Sequence, residues 1–414
     1  MNISLLSLHL THLLSSPLFS PSERTFKANF EISSSNLFNF ANHFLYLKYN
    51  FISLKLSACT CQNFLTSAIK YSKSIERNSF YLHQKKMKNI HKIYGPGTLE
   101  INNCVFKNCR NRESFGGAIF SLCPSQISNS YFYYCNSYYG GCVCTFSDMS
   151  IKNSQATRCS STFGGCFASK FGTFLSNSTS NFFSCSIMNG GSTIVEMAKI
   201  VNIYDNNCSY CSSGQRSSAI EINTKDSISI KNSIFSFCVA KEGSSGISLK
   251  SYQQAIVDST IFSNMKTDKP HESSAIFFNG MSRSQTILSN CIFYKCCSKN
   301  NQMFSLSNHK CNVNILNCVF SNEETEEMIG KINFLENNKF NVKNIPGEFP
   351  RHRKFFAPYP FFPPMHLVTS VINMFNDILI QLILTVWIIG LIFEICLILY
   401  KTKKKNEYCE KIIQ

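Results

Sequence analysis

The chain has 414 residues, a formal net charge of +16, 44% hydrophobic residues and only 15% charged residues. That excludes an acidic disordered tail protein and a collagen-like chain. Twenty-one cysteines argue against an ordinary enzyme of a reducing compartment. Residues 1–92 hold 11 Lys and Arg against 3 Glu, and residues 401–414 hold 5 Lys against 2 Glu, so much of the excess charge sits at the two ends. No basic stripe interleaved with aromatics stands out along the sequence, and no nucleic-acid partner is expected.

Residues 1–22 contain an apolar stretch from Ile3 to Leu14 and form a candidate signal peptide, although two histidines interrupt it and no basic residue precedes it. Residues 23–92 read as an N-terminal region of degenerate coils or a cap. Thr66-Ser67-Ala68-Ile69 and Asn78-Ser79-Phe80 echo motifs that recur further on.

Residues 93–322 are periodic. One column aligns Phe106, Phe132, Ala156, Phe182, Cys208, Phe235, Phe262, Phe293 and Phe320, with spacings of 24 to 31 residues. Three residues later the column holds Cys109, Cys135, Cys159, Cys185, Cys211, Cys238 and Cys296, with Met265 and Glu323 completing it. Three residues earlier it holds Asn103, Asn129, Asn153, Asn232, Asn290 and Asn317, with Thr179, Asp205 and Ser259 in the other repeats. Columns five and seven positions before the aromatic are mostly aliphatic, as one face of a strand requires. A further landmark pairs Gly116 with Gly117, Gly140 with Gly141 and Gly164 with Gly165, each followed by a small residue: Ala118, Cys142 or Cys166. Glycine pairs permit a bend with φ > 0, and the small residue then enters an interior corner.

A period near 26 with short strands and no helical pattern predicts an all-β chain, a parallel β-helix of about nine coils. The crossover rule makes it right-handed. Stacking at about 4.8 Å puts equivalent residues above one another and gives a rod about 43 Å long. Phe should stack on Phe, and Asn should form hydrogen-bonded ladders at the turns.

The Gly116-Gly117-Ala118-Ile119 motif and the Phe-x-x-Asn-type pairing, here Phe106-x-x-Cys109, resemble the repeat of bacterial polymorphic outer-membrane proteins. The related surface proteins of unicellular eukaryotes, with one C-terminal transmembrane helix, are more similar still. The resemblance covers about residues 93–322. It implies surface display and an adhesion-like role, and it carries over no catalytic residue.

Residues 323–377 open with the acidic run 323–327 and contain a proline-rich stalk with six prolines between 345 and 364. Residues 378–400 are 23 residues with one acid, Glu394, long enough for a transmembrane helix of about 35 Å. The lysines of the basic tail 401–414 follow at once, which predicts a cytoplasmic C-terminus and an outside N-terminus at the plasma membrane. Glu394 is a candidate for contact with a partner helix.

Nineteen cysteines precede the span. They read as buried thiols acting as small hydrophobes, or as disulfides among corner cysteines such as Cys142 with Cys166. No zinc pattern, paired aspartates or nucleophile motif is present, so neither an enzyme nor a cofactor is expected. Sequons at Asn2, Asn177 and Asn207 are glycosylation candidates. Tyr131, Tyr133, Tyr134, Tyr138 and Tyr139 form the most aromatic outward candidate.

The expected function is therefore a single-pass surface protein whose ectodomain binds a glycan or protein ligand. The alternatives are a polysaccharide-active lyase or hydrolase, and a structural or receptor subunit acting through the membrane helix.

Overall fold

The computed structural model describes residues 2–11, 29–47, 53–71, 97–267, 274–296, 303–307, 311–321, 332–335, 337–340 and 342. The chain divides into units 1–346 and 347–414. The second lies outside the described residues, and with it the expected span 378–400, Glu394 and the basic tail. Among the described residues all regular structure is strand, and no helix is long and apolar enough to cross a membrane.

One coil shows how the repeat is built. Ser125–Ser128 lies in a 21-stranded sheet, Tyr131–Tyr133 in a 12-stranded sheet and Asn136–Tyr139 in a 7-stranded sheet, after which Val143–Thr145 returns to the first. Each strand pairs in parallel with its counterpart one repeat away, as Ile127 does with Ile101 and Ile151. No coil can bury its apolar side chains alone, and stacking makes the core continuous.

The corners between sheets are residues in the left-handed region. The asparagine column occupies the first of them: Asn103, Asn129, Asn153, Asn232, Asn290 and Asn317 all have φ between 48° and 54°. Asn tolerates this conformation better than most side chains, which explains the column more directly than a ladder does. Within it the described amide-to-amide bond is Asn153 Nδ2 to Asn129 Oδ1, at 3.4 Å.

The core aromatic ladder runs as expected in two blocks. Phe106 stacks on Phe132 at 5.2 Å, and Phe235, Phe262, Phe293 and Phe320 stack at 5.0–5.3 Å. Phe182 is not part of it. Asn181 pairs with Ala156 and Cys208, and Phe182 faces outward. The same one-residue shift puts buried Ser184 in the cysteine column and leaves Cys185 half-buried on the outer side. An aromatic residue followed three places later by cysteine imitates the repeat. Pairing with both neighbouring coils decides otherwise, and a one-residue slip would turn the whole strand over.

The glycine corners divide the labour between the two glycines. Gly116, Gly140 and Gly164 carry the positive φ, at 59–66°. Gly117, Gly141 and Gly165 are needed for close approach: a Cβ on Gly141 would lie 2.1 Å from the Gly165 carbonyl oxygen. Ala118, Cys142 and Cys166 then enter the interior fully buried.

The stack runs past both expected limits. Asn2–Leu6 and His9–Thr11, within the candidate signal peptide, pair with Asn29–Ser33 and Asn36–Phe40. Ala68 and Ile69 form a buried corner, and Ile69 pairs with Ile119. At the other end Ile332–Phe334 pairs with Asn312–Leu316, and Phe340 stacks on Phe320 at 4.8 Å. The Asn78-Ser79-Phe80 echo, the acidic run 323–327 and the proline-rich stalk lie outside the described residues.

Candidate functional site: an exposed aromatic and cationic ladder

The second corner of each coil follows the core aromatic by two residues and is also left-handed. At the start of the rod it is asparagine: Asn39, Asn63 and Asn108, with φ of 52–58°. Their amides form a continuous ladder, Asn63 Nδ2 to Asn39 Oδ1 at 2.8 Å and Asn108 Nδ2 to Asn63 Oδ1 at 3.0 Å. The same column then changes chemistry and holds Tyr134, Arg158, Phe183, Tyr210 and Phe237, with φ still between 52° and 57°.

These large side chains stack on one another in the solvent. Phe183, Tyr210 and Phe237 are 5.0 and 4.9 Å apart with their planes within 14°. The Arg158 guanidinium lies between Tyr134 and Phe183, 5.7 and 5.9 Å from the ring centres, and donates to the Tyr134 hydroxyl at 2.7 Å. The four aromatic rings remain 40–49% exposed. A left-handed conformation costs an ordinary L-residue roughly 1–2 kcal/mol. Asn serves this corner elsewhere in the same column. The fold therefore does not require the aromatics here.

Of the tyrosines expected outside, Tyr131 and Tyr134 are exposed, and Tyr133 and Tyr138 are half-buried. Tyr139 is not outside: it is 4% exposed and packs against Phe115 and Phe163. The sequence reading missed Arg158, Phe183, Tyr210 and Phe237. A signal was present, since each lies immediately before the cysteine column or, at Phe183, before Ser184.

The cysteine column has its own chemistry. Each cysteine follows a left-handed residue, and its thiol donates to the carbonyl two residues back: Cys159 to Thr157 at 3.4 Å, Cys238 to Ser236 at 3.4 Å, Cys211 to Ser209 at 3.6 Å. The first corner repeats the device in a column the sequence reading did not use. Cys104, Ser130, Ser154, Ser233, Thr260, Cys291 and Cys318 each donate to the carbonyl two residues back, at 2.7–3.3 Å. Cysteine and serine are thus interchangeable donors that close a turn carbonyl inside the rod.

No disulfide joins the described cysteines. Cys135, Cys142 and Cys159 bring their sulfurs within 4.8 Å of one another, and Cys142 also meets the Cys166 thiol. Burial pushes the Cys135 thiol up and those of Cys142 and Cys166 well above the ordinary range. The Cys135 and Cys159 thiols each have two carbonyl oxygens within hydrogen-bond range. Surroundings made of acceptors suit a protonated thiol rather than the thiolate a metal requires.

Two carboxylates come near each other, Glu196 and Glu221, and both are engaged. Lys170 pairs with Glu196 at 2.9 Å, and Lys250 pairs with Glu221. Burial raises the pKa of Glu221, and Lys250 opposes that shift. Asn177 and Asn207, the sequon residues, are half-exposed.

Comparison with family models, with curated proteins and with solved structures gave no match. The resemblance carried by residues 116–119 therefore rests on the motif and on the β-solenoid itself.

Proposed function

We propose that this chain is a single-pass membrane surface protein that displays a right-handed parallel β-helix for adhesion or ligand binding. The observation that carries the reading is the exposed ladder of Tyr134, Arg158, Phe183, Tyr210 and Phe237 at corners where Asn would serve the fold. An apolar, hydrogen-bonding ridge maintained against backbone strain is a contact surface. Residues 378–400 anchor the rod in the bilayer, the tail 401–414 faces the cytoplasm, and the sequons at Asn177 and Asn207 suit an outside location.

The test uses substitutions that spare the fold. Phe183→Asn, Tyr210→Asn and Phe237→Asn restore the residue found earlier in the column. They should keep the circular dichroism spectrum and remove binding of the displayed chain to target cells. Unchanged cell binding in the triple variant would refute the reading. Topology is tested separately with one tag after Asn322 and another at the C-terminus. On intact cells the first should stain and the second should not.

A further inference from the structure

The outer columns beside the ladder carry charge of one sign. Parallel pairing aligns four outward positions per coil around the second corner: those on either side of the core aromatic, the left-handed residue, and the residue after the cysteine. From the coil of Phe106 to that of Phe293 these positions hold Lys107, Arg110, Arg158, Lys266 and Lys295, and no acid. All are exposed except Arg158, which is half-exposed between the rings. Among the described residues the ion pairs are Lys55–Glu31, Lys170–Glu196 and Lys250–Glu221, so these five cations lie outside every one of them.

We propose that this face binds an acidic polysaccharide, a linear glycan bearing sulfate or carboxylate groups, laid along the coil axis. The inference rests on the surface-binding reading above and names its ligand class. Three features select that class. First, five cations outside every described ion pair, with no acid in these columns, attract a polyanion and repel basic surfaces. Second, the coils of Lys107 and Lys295 are seven steps apart, about 34 Å at the strand spacing, which a small anion cannot bridge and an extended polymer can. Third, the rings of Phe183, Tyr210 and Phe237 close on one another at 4.9–5.0 Å. The faces between these three rings are thus used within the ladder, and neither gap between them admits a nucleobase for stacking. What remains outward is ring edges, Tyr hydroxyls and the guanidinium, which suit sugar hydroxyls and their anionic substituents.

The experiment measures retention of the full chain on immobilised heparin, polygalacturonate, neutral dextran and a single-stranded oligonucleotide. Wild type is compared with a face variant (Lys107→Gln, Arg110→Gln, Lys266→Gln, Lys295→Gln) and with a control variant of equal charge loss on the long sheet (Lys152→Gln, Lys199→Gln, Lys225→Gln, Lys231→Gln). Thermal unfolding of all three monitors the fold. The expected result is binding to heparin or polygalacturonate, or both, that weakens with salt. It should fall at least about tenfold in the face variant and less than about threefold in the control. Equal losses in both variants would reduce the effect to bulk charge and overturn the proposal. Tighter retention on the oligonucleotide would overturn it in favour of a nucleic acid. Failure on all four matrices, with cell binding still abolished by the Asn triple variant, would overturn the glycan class and leave the surface reading standing. Failure on all four with cell binding unaffected would sink both.

Discussion

A single methyl group at Gly141 should unfold part of the rod. A Cβ there would sit 2.1 Å from the Gly165 carbonyl oxygen and 2.7 Å from that of Ser160. Both are backbone atoms of the next coil, held by parallel pairing, so neither can turn aside as a flexible side chain would. Relief requires the two coils to separate at this corner, which breaks the bond from Gly141 N–H to the Gly164 carbonyl, now 3.0 Å. Overpacking of this kind costs about 1–3 kcal/mol. A buried backbone group left unpaired adds about 1–3 kcal/mol. Gly141→Ala should therefore destabilise the chain by about 2–6 kcal/mol, read as a shift in the urea midpoint at unchanged slope. Ser218 occupies the corresponding position further along, where the corner does accommodate a Cβ and the hydroxyl donates to the Ser245 carbonyl. Ser218→Gly should cost only about 0.5–1.5 kcal/mol, the net value of one hydrogen bond. A loss below about 1 kcal/mol for Gly141→Ala would refute the argument that backbone proximity, rather than chain flexibility, demands the second glycine.

The other predictions use buried polar groups. Lys250→Met leaves Glu221, only 7% exposed, without its partner and should cost about 3–5 kcal/mol, whereas Lys250→Met with Glu221→Leu should recover most of it; urea unfolding checks both. Cys185 is the described cysteine that is not fully buried, so maleimide labelling of the native chain followed by mass spectrometry should modify it before the other described cysteines. Because burial pushes its thiol up to about 11, that labelling should accelerate steadily between pH 7 and 9. His43 is held down to about 4 by burial, against a backbone hydrogen bond to Ser67 that opposes the shift. Its folded pKa lies below the unfolded value near 6.5, so the unfolded chain binds the extra proton and stability falls as pH drops from 6.5 to 4. The loss should reach at most about 3 kcal/mol, and His43→Gln should abolish that segment of the pH profile.

Much of the fold was legible because a parallel β-helix writes its geometry into the period. Phe106, Phe132, Phe235 and Phe262 declare the core, Asn103 and Asn129 the first corner, and Gly140 with Gly141 the third. The coil between Ala156 and Cys208 was misread by one residue because Phe182 and Cys185 match the pattern that Asn181 and Ser184 fill in space. Linear order offers no arbiter there, whereas strand pairing with two neighbours does. The face proposed for binding was not legible for a different reason. Lys107, Arg158, Phe183 and Lys295 are separated by dozens of residues and form no local motif, so a search for a basic stripe with aromatics finds nothing along the chain.

The sequence by itself determined the architecture: a repeat near 26 residues, apolar columns, left-handed corners and small residues where coils meet leave a parallel β-solenoid as the arrangement that buries every column. Only the tertiary structure decided which residues share a surface. Stacking at about 4.8 Å turns positions 24 to 31 residues apart into neighbours, and it is this contact that makes five scattered cations and a row of aromatic rings into one face.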